Sequence, residues 1–332
     1  MPCDDKTPRE EKTAMGIGVT AEHVPITNWA AILGLWEFPS LDQAVYVSPQ
    51  PQWENLPSLG RPFGICISNV RFSDGDAKVT IRFPKTATDV AAAFLLGYRS
   101  LYDPYIMVGL GGWGFAYTIG EFDRVRGWHA VAFAGSQNNL RVDHPYKTCI
   151  RVRGQRIILK VDGVRVLDHV FESPLPQGQL GLFTWEQNRI DFSDASVHTT
   201  LGTVFVVMKF ADPYQELYTD VIQPVADHYK LRAYHAGEVF GPGIILEDIV
   251  SGIVEARIVI VDVTPTTQNE NVFYELGYAH ALKKATILLA ERGRTRPFDI
   301  SGYRWLYYDN SIGGKRKLED GLHRHLCAIL RE

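Results

Sequence analysis

The chain has 332 residues, 45% of them apolar and 22% charged, which is enough hydrophobic content for two packed domains and too much for a disordered chain. Its net charge of −4 is shared evenly: residues 1–200 carry 19 basic and 21 acidic side chains, and residues 201–332 carry 15 and 17. No basic lobe offers itself to a nucleic-acid polymer, so that class of partner is not expected. Cys3, Cys66, Cys149 and Cys327 are scattered without CxxC spacing, which argues against a zinc site and a disulfide framework. The opening MPCDDKTPREEK has no apolar core of a secretory signal, and no uncharged run approaches the ~20 residues of a membrane span. The expectation is a soluble, cytoplasmic protein with no membrane contact and no metal.

In chain order, residues 1–20 are expected to form a flexible tail, and TNWAAILGLWEF (27–38) reads either as a strand pair or as a short helix. From residue 63 short β-rich runs follow one another. They are FGICIS (63–68), AKVTIRF (77–83), VAAAFLLGY (90–98), YIMVGLG (105–111), WHAVAFAG (128–135), TCIRVRG (148–154) and RIILKV (156–161). VRVLDHVF (164–171), GQLGLFTW (178–185) and RIDFSDASV (189–197) complete the set. Val79, Ile81 and Phe83 alternate with Lys78, Thr80 and Arg82, the period of a half-buried strand. Asp162-Gly163 between two such runs is a two-residue hairpin signal. Many short strands without helices predict an antiparallel β-sandwich or jelly roll over residues 21–199. Trp113, Trp128 and Trp185 either offer a binding face or, as is commoner in sandwiches, belong to the core.

After residue 200 the period changes. TVFVVMKF (203–210) is a continuous apolar run, the mark of a strand covered on both faces. Leu217, Val221, Val225 and Tyr229 then recur four apart on a helix. Strands at 231–236, 257–263, 285–291 and 303–309 alternate with helices at 243–256, 270–283 and 316–331. Five strands alternating with helices predict a flavodoxin-like, doubly wound parallel sheet over residues 200–332, so the chain reads as multidomain.

Ligands of such sheets bind beyond the carboxyl ends of the strands. That rule selects Met208, Lys209 and Phe210 after the first strand, and His235, Gly237 and Glu238 with the turn Gly241-Pro242-Gly243 after the second. It selects Asp262 and Glu275 around the third. Glu275 shares a helical stripe with Val272, Ala279 and Leu282, where an unpaired charge costs several kcal/mol unless it faces a cavity. The alternative is an early-turn glutamate favoured by the helix macrodipole. Asp262 closes an apolar strand at the junction where that helix begins, and the two carboxylates read as a nucleophile and an orienting residue. Its alternative role is to cap the loop amides that follow. His280 is expected to pack rather than react. No GxGxxG opens a helix (the match at Gly109–Gly114 lies among the short β-rich runs), and the P-loop and GxSxG are absent, which removes dehydrogenase, phosphoryl-transfer and serine-hydrolase readings.

The second half, through VFVVMKF, ILEDIVSGI and IVIVDVTPTTQNENVFYELGYAHALKKATILLAERG, resembles the nucleoside 2-deoxyribosyltransferase-like family, which is structurally akin to the TIR domains that cleave NAD. The resemblance covers residues 203–330. It implies that Glu275 attacks the anomeric carbon of an N-glycoside and that Asp262 helps to hold base or sugar. It places Met208, Lys209 and Phe210 in the substrate-facing loop, with Asn271 and Tyr274 shaping the site. Asn269-Glu270-Asn271 stands where the family commonly has asparagine-proline-asparagine. The first half, through VDGVRVLDHVFESPLPQGQLGLFTWEQNRIDFSDASV, resembles concanavalin A-like sandwiches of the laminin-G type. Together these imply an N-glycosidase acting on NAD or a nucleoside phosphate, with NAD a substrate and no cofactor required. Nucleoside deoxyribosyl transfer and nucleotide sensing without turnover are the alternatives. Self-assembly into a homo-oligomer is implied, as is a setting in nucleotide-depleting defence. The sandwich would serve as sensor, scaffold or oligomerisation module, with a ligand or protein partner of its own.

Overall fold

The computed structural model describes residues 21–49, 63–87, 89–185, 188–209, 214–238, 245–264, 270–293 and 304–331. The expected tail at 1–20 lies outside the described residues. By its contacts the chain divides between Thr200 and Leu201 into two units.

The first unit is an antiparallel β-sandwich. Its strands are β1 (Ala21–Val24), β2 (Trp29–Leu33), β3 (Leu35–Ser40), β4 (Gln43–Ser48), β5 (Gly64–Phe72), β6 (Gly75–Arg82), β7 (Ala91–Tyr98) and β8 (Tyr105–Gly111). They continue with β9 (Phe115–Asp123), β10 (Gly127–Ser136), β11 (Tyr146–Arg153), β12 (Arg156–Val161), β13 (Val164–Val170), β14 (Gly178–Trp185) and β15 (Ile190–Thr200). One sheet runs β13-β12-β11-β6-β15-β4-β3, with β1 also paired to β15; the other runs β10-β9-β8-β7-β14-β5-β2. Val79 and Ile81 of β6, Ile150 of β11 and Leu159 of β12 meet Phe94 of β7, Val108 of β8 and Leu182 of β14 in one core between the sheets. The period-two reading of β6 therefore holds.

The segment 27–38 is a strand pair. Gly34, at φ +82°, turns the chain from β2 in one sheet to β3 in the other, and a Cβ there would come within 2.7 Å of the Tyr46 ring. At the Asp162-Gly163 hairpin Val161 pairs with Val164, and both turn residues have positive φ (+49° and +83°), as a type I′ turn requires. Strand β9 was not expected from the sequence. Its central Gly120 leaves the room that the Trp113 indole fills, which weakens its strand signature.

The tryptophans are packed, but outside the inter-sheet core. Trp113, Trp128 and Trp185 are half-buried and lie on the opposite face of the seven-stranded sheet, against Ile65, Ala93, Met107 and Phe183. Tyr105 is fully buried there, its ring stacked on Phe122 at 4.8 Å. Its hydroxyl has no hydrogen-bond partner among the described residues, and burial pushes its pKa up.

The second unit contains β16 (Gly202–Val207), β17 (Leu231–Tyr234), β18 (Ile258–Asp262), β19 (Ala285–Glu291) and β20 (Trp305–Tyr308). All neighbours are parallel, in the order β17-β16-β18-β19-β20. The helices are α1 (Tyr214–Leu217), α2 (Gln223–His228), α3 (Ile245–Glu255), α4 (Glu270–Ala281) and α5 (Ile312–Arg331). A π turn, Tyr218–Ile222, joins α1 to α2 without a break. Pro224 explains it: proline has no N–H for the Asp220 carbonyl, and the Gln223 N–H bonds instead to Tyr218 O, five residues back.

Side chains alternate across the sheet. Val204, Val206, Ile258, Ile260, Ile287 and Leu289 face the layer formed by α1, the π turn, α2 and α5. Phe205, Val207, Val259, Val261 and Leu288 face α3 and α4. Helix α3 ends against Lys284, only 7% exposed, whose ammonium donates to Val254 O and Ala256 O, each at 2.7 Å. A cation on the last carbonyls of a helix satisfies orphan acceptors and complements the dipole.

Two stability measurements test this account. Lys284→Met strands two buried carbonyls and is expected to lower unfolding free energy by about 2–4 kcal/mol in urea titrations. Tyr105→Phe removes a hydroxyl that has no described partner and is expected to leave stability unchanged or raise it by about 1 kcal/mol. A loss above that size in the second case would mean that the hydroxyl is bonded after all.

Candidate active site

In the strand order 2-1-3-4-5 the chain reverses direction across the sheet between β16 and β18, and the crevice outside their carboxyl ends is where such sheets bind ligands. Val207 pairs with Val261, so Met208 and Asp262 leave adjacent strands side by side. Met208 is buried among the apolar residues under α2 and α5, and Lys209 is half-buried. Phe210 lies outside the described residues, as does the Gly241-Pro242-Gly243 turn.

Helix α4 packs on β16 and β18. Val272, Leu276 and Ala279 are its buried stripe, while Asn271 and Tyr274 are exposed, Tyr274 by 59%. Glu275 sits on the stripe and is half-buried. Its carboxylate makes no hydrogen bond or ion pair among the described residues, and burial alone raises its pKa from 4.5 to about 7. A hydrogen-bonded or salt-linked glutamate would be shifted the other way. Near pH 7 this group is divided between acid and carboxylate, as suits a nucleophile or a general acid–base.

Asp262 is handled in the opposite way. It is 4% exposed, and both oxygens accept hydrogen bonds. Oδ1 receives the Thr264 N–H at 2.9 Å and the Thr264 hydroxyl at 2.6 Å, and Oδ2 receives the Tyr308 hydroxyl at 2.8 Å. Thr264 Oγ1 in turn accepts the Glu291 N–H at 2.9 Å. Burial still drives the Asp262 pKa up, against these three donors. Asp262 follows Ile258 and Ile260 on the face beneath α5, whereas α4 covers the other face. The expected pair is thus split between the two faces of the sheet. Asp262 ties the β18 exit to β20, and both of its oxygens are committed to donors of the fold.

Glu238, in the turn after β17, forms a group with His235, which the strand-end rule also selects, and with Tyr218, which it does not. The Tyr218 hydroxyl donates to Glu238 Oε1, and His235 Nε2 lies 3.2 Å from the same oxygen. The Gly237 N–H donates to His235 Nδ1 at 3.1 Å, which leaves the ring proton on Nε2, facing Glu238. Burial lowers the His235 pKa, partly offset by Glu238, so the ring is neutral at pH 7. The π turn places Tyr218 here, and the only sequence signal for it was a proline inside a helical pattern. His280 is half-buried, its pKa lowered by burial. Among the described residues no three His, Cys, Asp or Glu side chains form a metal cluster, and no helix is long and apolar enough to cross a membrane.

No family model matches this chain, and no curated protein matches it. Among solved structures it is similar to a carbohydrate binding module from Bacillus subtilis, at 16% identity and TM-score 0.42, over 51% of this chain and 94% of that one. It is also similar to a protein of unknown function with a galectin-like fold from Bacillus subtilis (11%, TM-score 0.40, 55% and 99%). A Bacillus licheniformis beta-glucanase is a third (12%, TM-score 0.37, 55% and 99%).

Because folding raises the Glu275 pKa, its contribution to stability is fully present below pH 4.5 and is lost as pH climbs through about 7. Glu275→Gln is therefore expected to stabilise the protein at pH 8.5 by about 1–2 kcal/mol, discounted for partial exposure. The gain should shrink toward zero at pH 5 in paired urea titrations. A destabilised variant at pH 8.5 would show that the carboxylate has a partner.

Proposed function

We propose that the second unit is an N-glycosidase that breaks the bond between ribose and base in a small nucleotide, NAD or a nucleoside phosphate. The observation that carries this reading is Glu275: a half-buried carboxylate without a described partner, on the helix that packs over the two switch-point strands. Folding maintains it at a cost to stability, which is common where a side chain is kept for chemistry. The flavodoxin-like strand order and the Asn271–Gly277 segment support kinship with the nucleoside 2-deoxyribosyltransferase-like and TIR-like domains. The sandwich, in the concanavalin A-like reading, acts as sensor, scaffold or assembly module in a cytoplasmic homo-oligomer that depletes nucleotides in defence.

In this mechanism the Glu275 carboxylate approaches C1′ as the N-glycosidic bond breaks, and the base leaves with the bonding electron pair. With NAD the pyridinium nitrogen takes that pair and departs as neutral nicotinamide. A water then displaces the carboxylate from C1′ and releases its proton to solvent. Tyr274 and Asn271 border the entrance. Glu238, fixed by Tyr218 and His235, offers an acceptor to the ribose hydroxyls from the neighbouring strand end.

Incubation with NAD and with nucleoside monophosphates, followed by chromatography of the free base, tests the proposal. Wild type is expected to release base, with kcat/KM rising as pH passes about 7 because the nucleophile is the ionised form. Glu275→Gln is expected to lose at least ~100-fold in rate. Incorporation of an added labelled base would identify a transferase, and binding without base release would identify a sensor. Full activity in the variant would overturn the assignment of Glu275.

A further inference from the structure

On the α5 side of the same sheet, away from α4, a cavity of about 140 Å³ opens outside the carboxyl ends of β19 and β20. Its walls are aromatic and aliphatic: Tyr214 and Leu217 of α1, Val221 of the π turn, Tyr308 of β20 and Leu318 of α5. Four carboxylates ring it, those of Glu216, Asp220, Glu291 and Asp309, against one ammonium, Lys315. Lys315 makes no ion pair with any of them among the described residues, whereas Asp309 is engaged at 3.3 Å by Arg292. None of the cavity's features is needed by the glycosidase reading, and Glu275 is not in its wall.

We infer that this cavity is a binding site for a small organic cation, an amine or a guanidinium. Three independent features lead there. The space stands at strand ends, where doubly wound sheets take their ligands. Tyr214 and Tyr308 are part of its lining, and a tyrosine ring attracts a cation within about 6 Å of the ring centre. The carboxylate excess repels a phosphate, so the charged end of a nucleotide has no place here. A metal ion is a poor occupant as well, because no three acidic or imidazole side chains converge among the described residues. Carboxylates spread around a cavity of this size match a charge distributed over several N–H donors.

The cavity is also joined to the switch point. Tyr308 lines it and donates to Asp262 at 2.8 Å, and the Glu291 backbone holds Thr264, the other partner of Asp262. An occupant pulling on Tyr308 or Glu291 acts on the exit of β18, from which the chain runs to α4. The site is therefore placed to regulate whatever chemistry α4 carries.

Spermidine and agmatine are the probes, titrated calorimetrically and by thermal shift into the full chain, with magnesium chloride and sodium chloride at equal ionic strength as controls. Binding of either organic cation, with no comparable effect of magnesium, is the expected result, and the stronger probe identifies the preferred head group. Glu216 and Asp220 are exposed, so Glu216→Gln with Asp220→Asn should fold and weaken binding by about tenfold or more. Lys315→Gln should tighten it several-fold, and Tyr214→Ala is a second loss variant. Absence of binding by both probes, an equal effect of magnesium, or unchanged affinity in the double variant would overturn the site. The readout is binding with Glu275 intact, so its failure leaves nucleotide cleavage untouched, and the failure of cleavage leaves it untouched.

Discussion

A carboxyl group taken out of water must either be supplied with donors or give up its charge. The second unit does each once, within a few residues of one strand. Asp262 is nearly sealed from solvent and receives three hydrogen bonds, two from Thr264 and one from Tyr308. The Tyr308 bond joins β18 to β20 across β19, so the aspartate is a fastening of the sheet's carboxyl edge. Glu275 receives none among the described residues, and burial lifts its pKa to about 7. The difference between the two is the main reason to look for chemistry at one and architecture at the other.

The period of hydrophobic residues made most of the strands legible. β8, β12 and β14 begin and end where their apolar runs do, because a strand buried on one face or both has no other way to satisfy its side chains. β9 escaped because Gly120 interrupts its pattern, and glycine is there to make room for Trp113 of the turn that leads into the strand. The π turn was half visible. An α-helix turns about 100° per residue, so steps of four drift by about 40° each and carry the last residue off the stripe. Leu217, Val221 and Val225 are all buried in one core, with Tyr229 packed against it just past α2, and the overwide turn reduces the drift between them. Pro224 was the cause, and it sits in plain view.

The site was legible residue by residue but not as a constellation. Strand ends selected Met208, Lys209, Asp262 and Glu238, yet alternation along β18 puts Asp262 and α4 on opposite faces. That follows from side-chain direction, which spacing along one strand shows only when the helix covering each face is already known. Glu238 and His235 were both chosen for their position; their partner Tyr218 comes from a helix that meets them only in three dimensions.

Tyr308 gives the two faces a common part. It is a wall of the acidic cavity, a member of the apolar core beneath α5 and a donor to Asp262. An organic cation brings N–H donors and no acceptor, so the Tyr308 hydroxyl oxygen can accept from an occupant while its proton stays on Asp262. A cation held at that oxygen polarises the O–H, strengthens the bond to Asp262 and favours the ionised aspartate, against the burial that raises its pKa. Occupancy therefore tightens the anchor at the β18 exit, from which the chain runs to α4, so Asp262, and not Glu275, is the element through which the cavity reaches the proposed reaction.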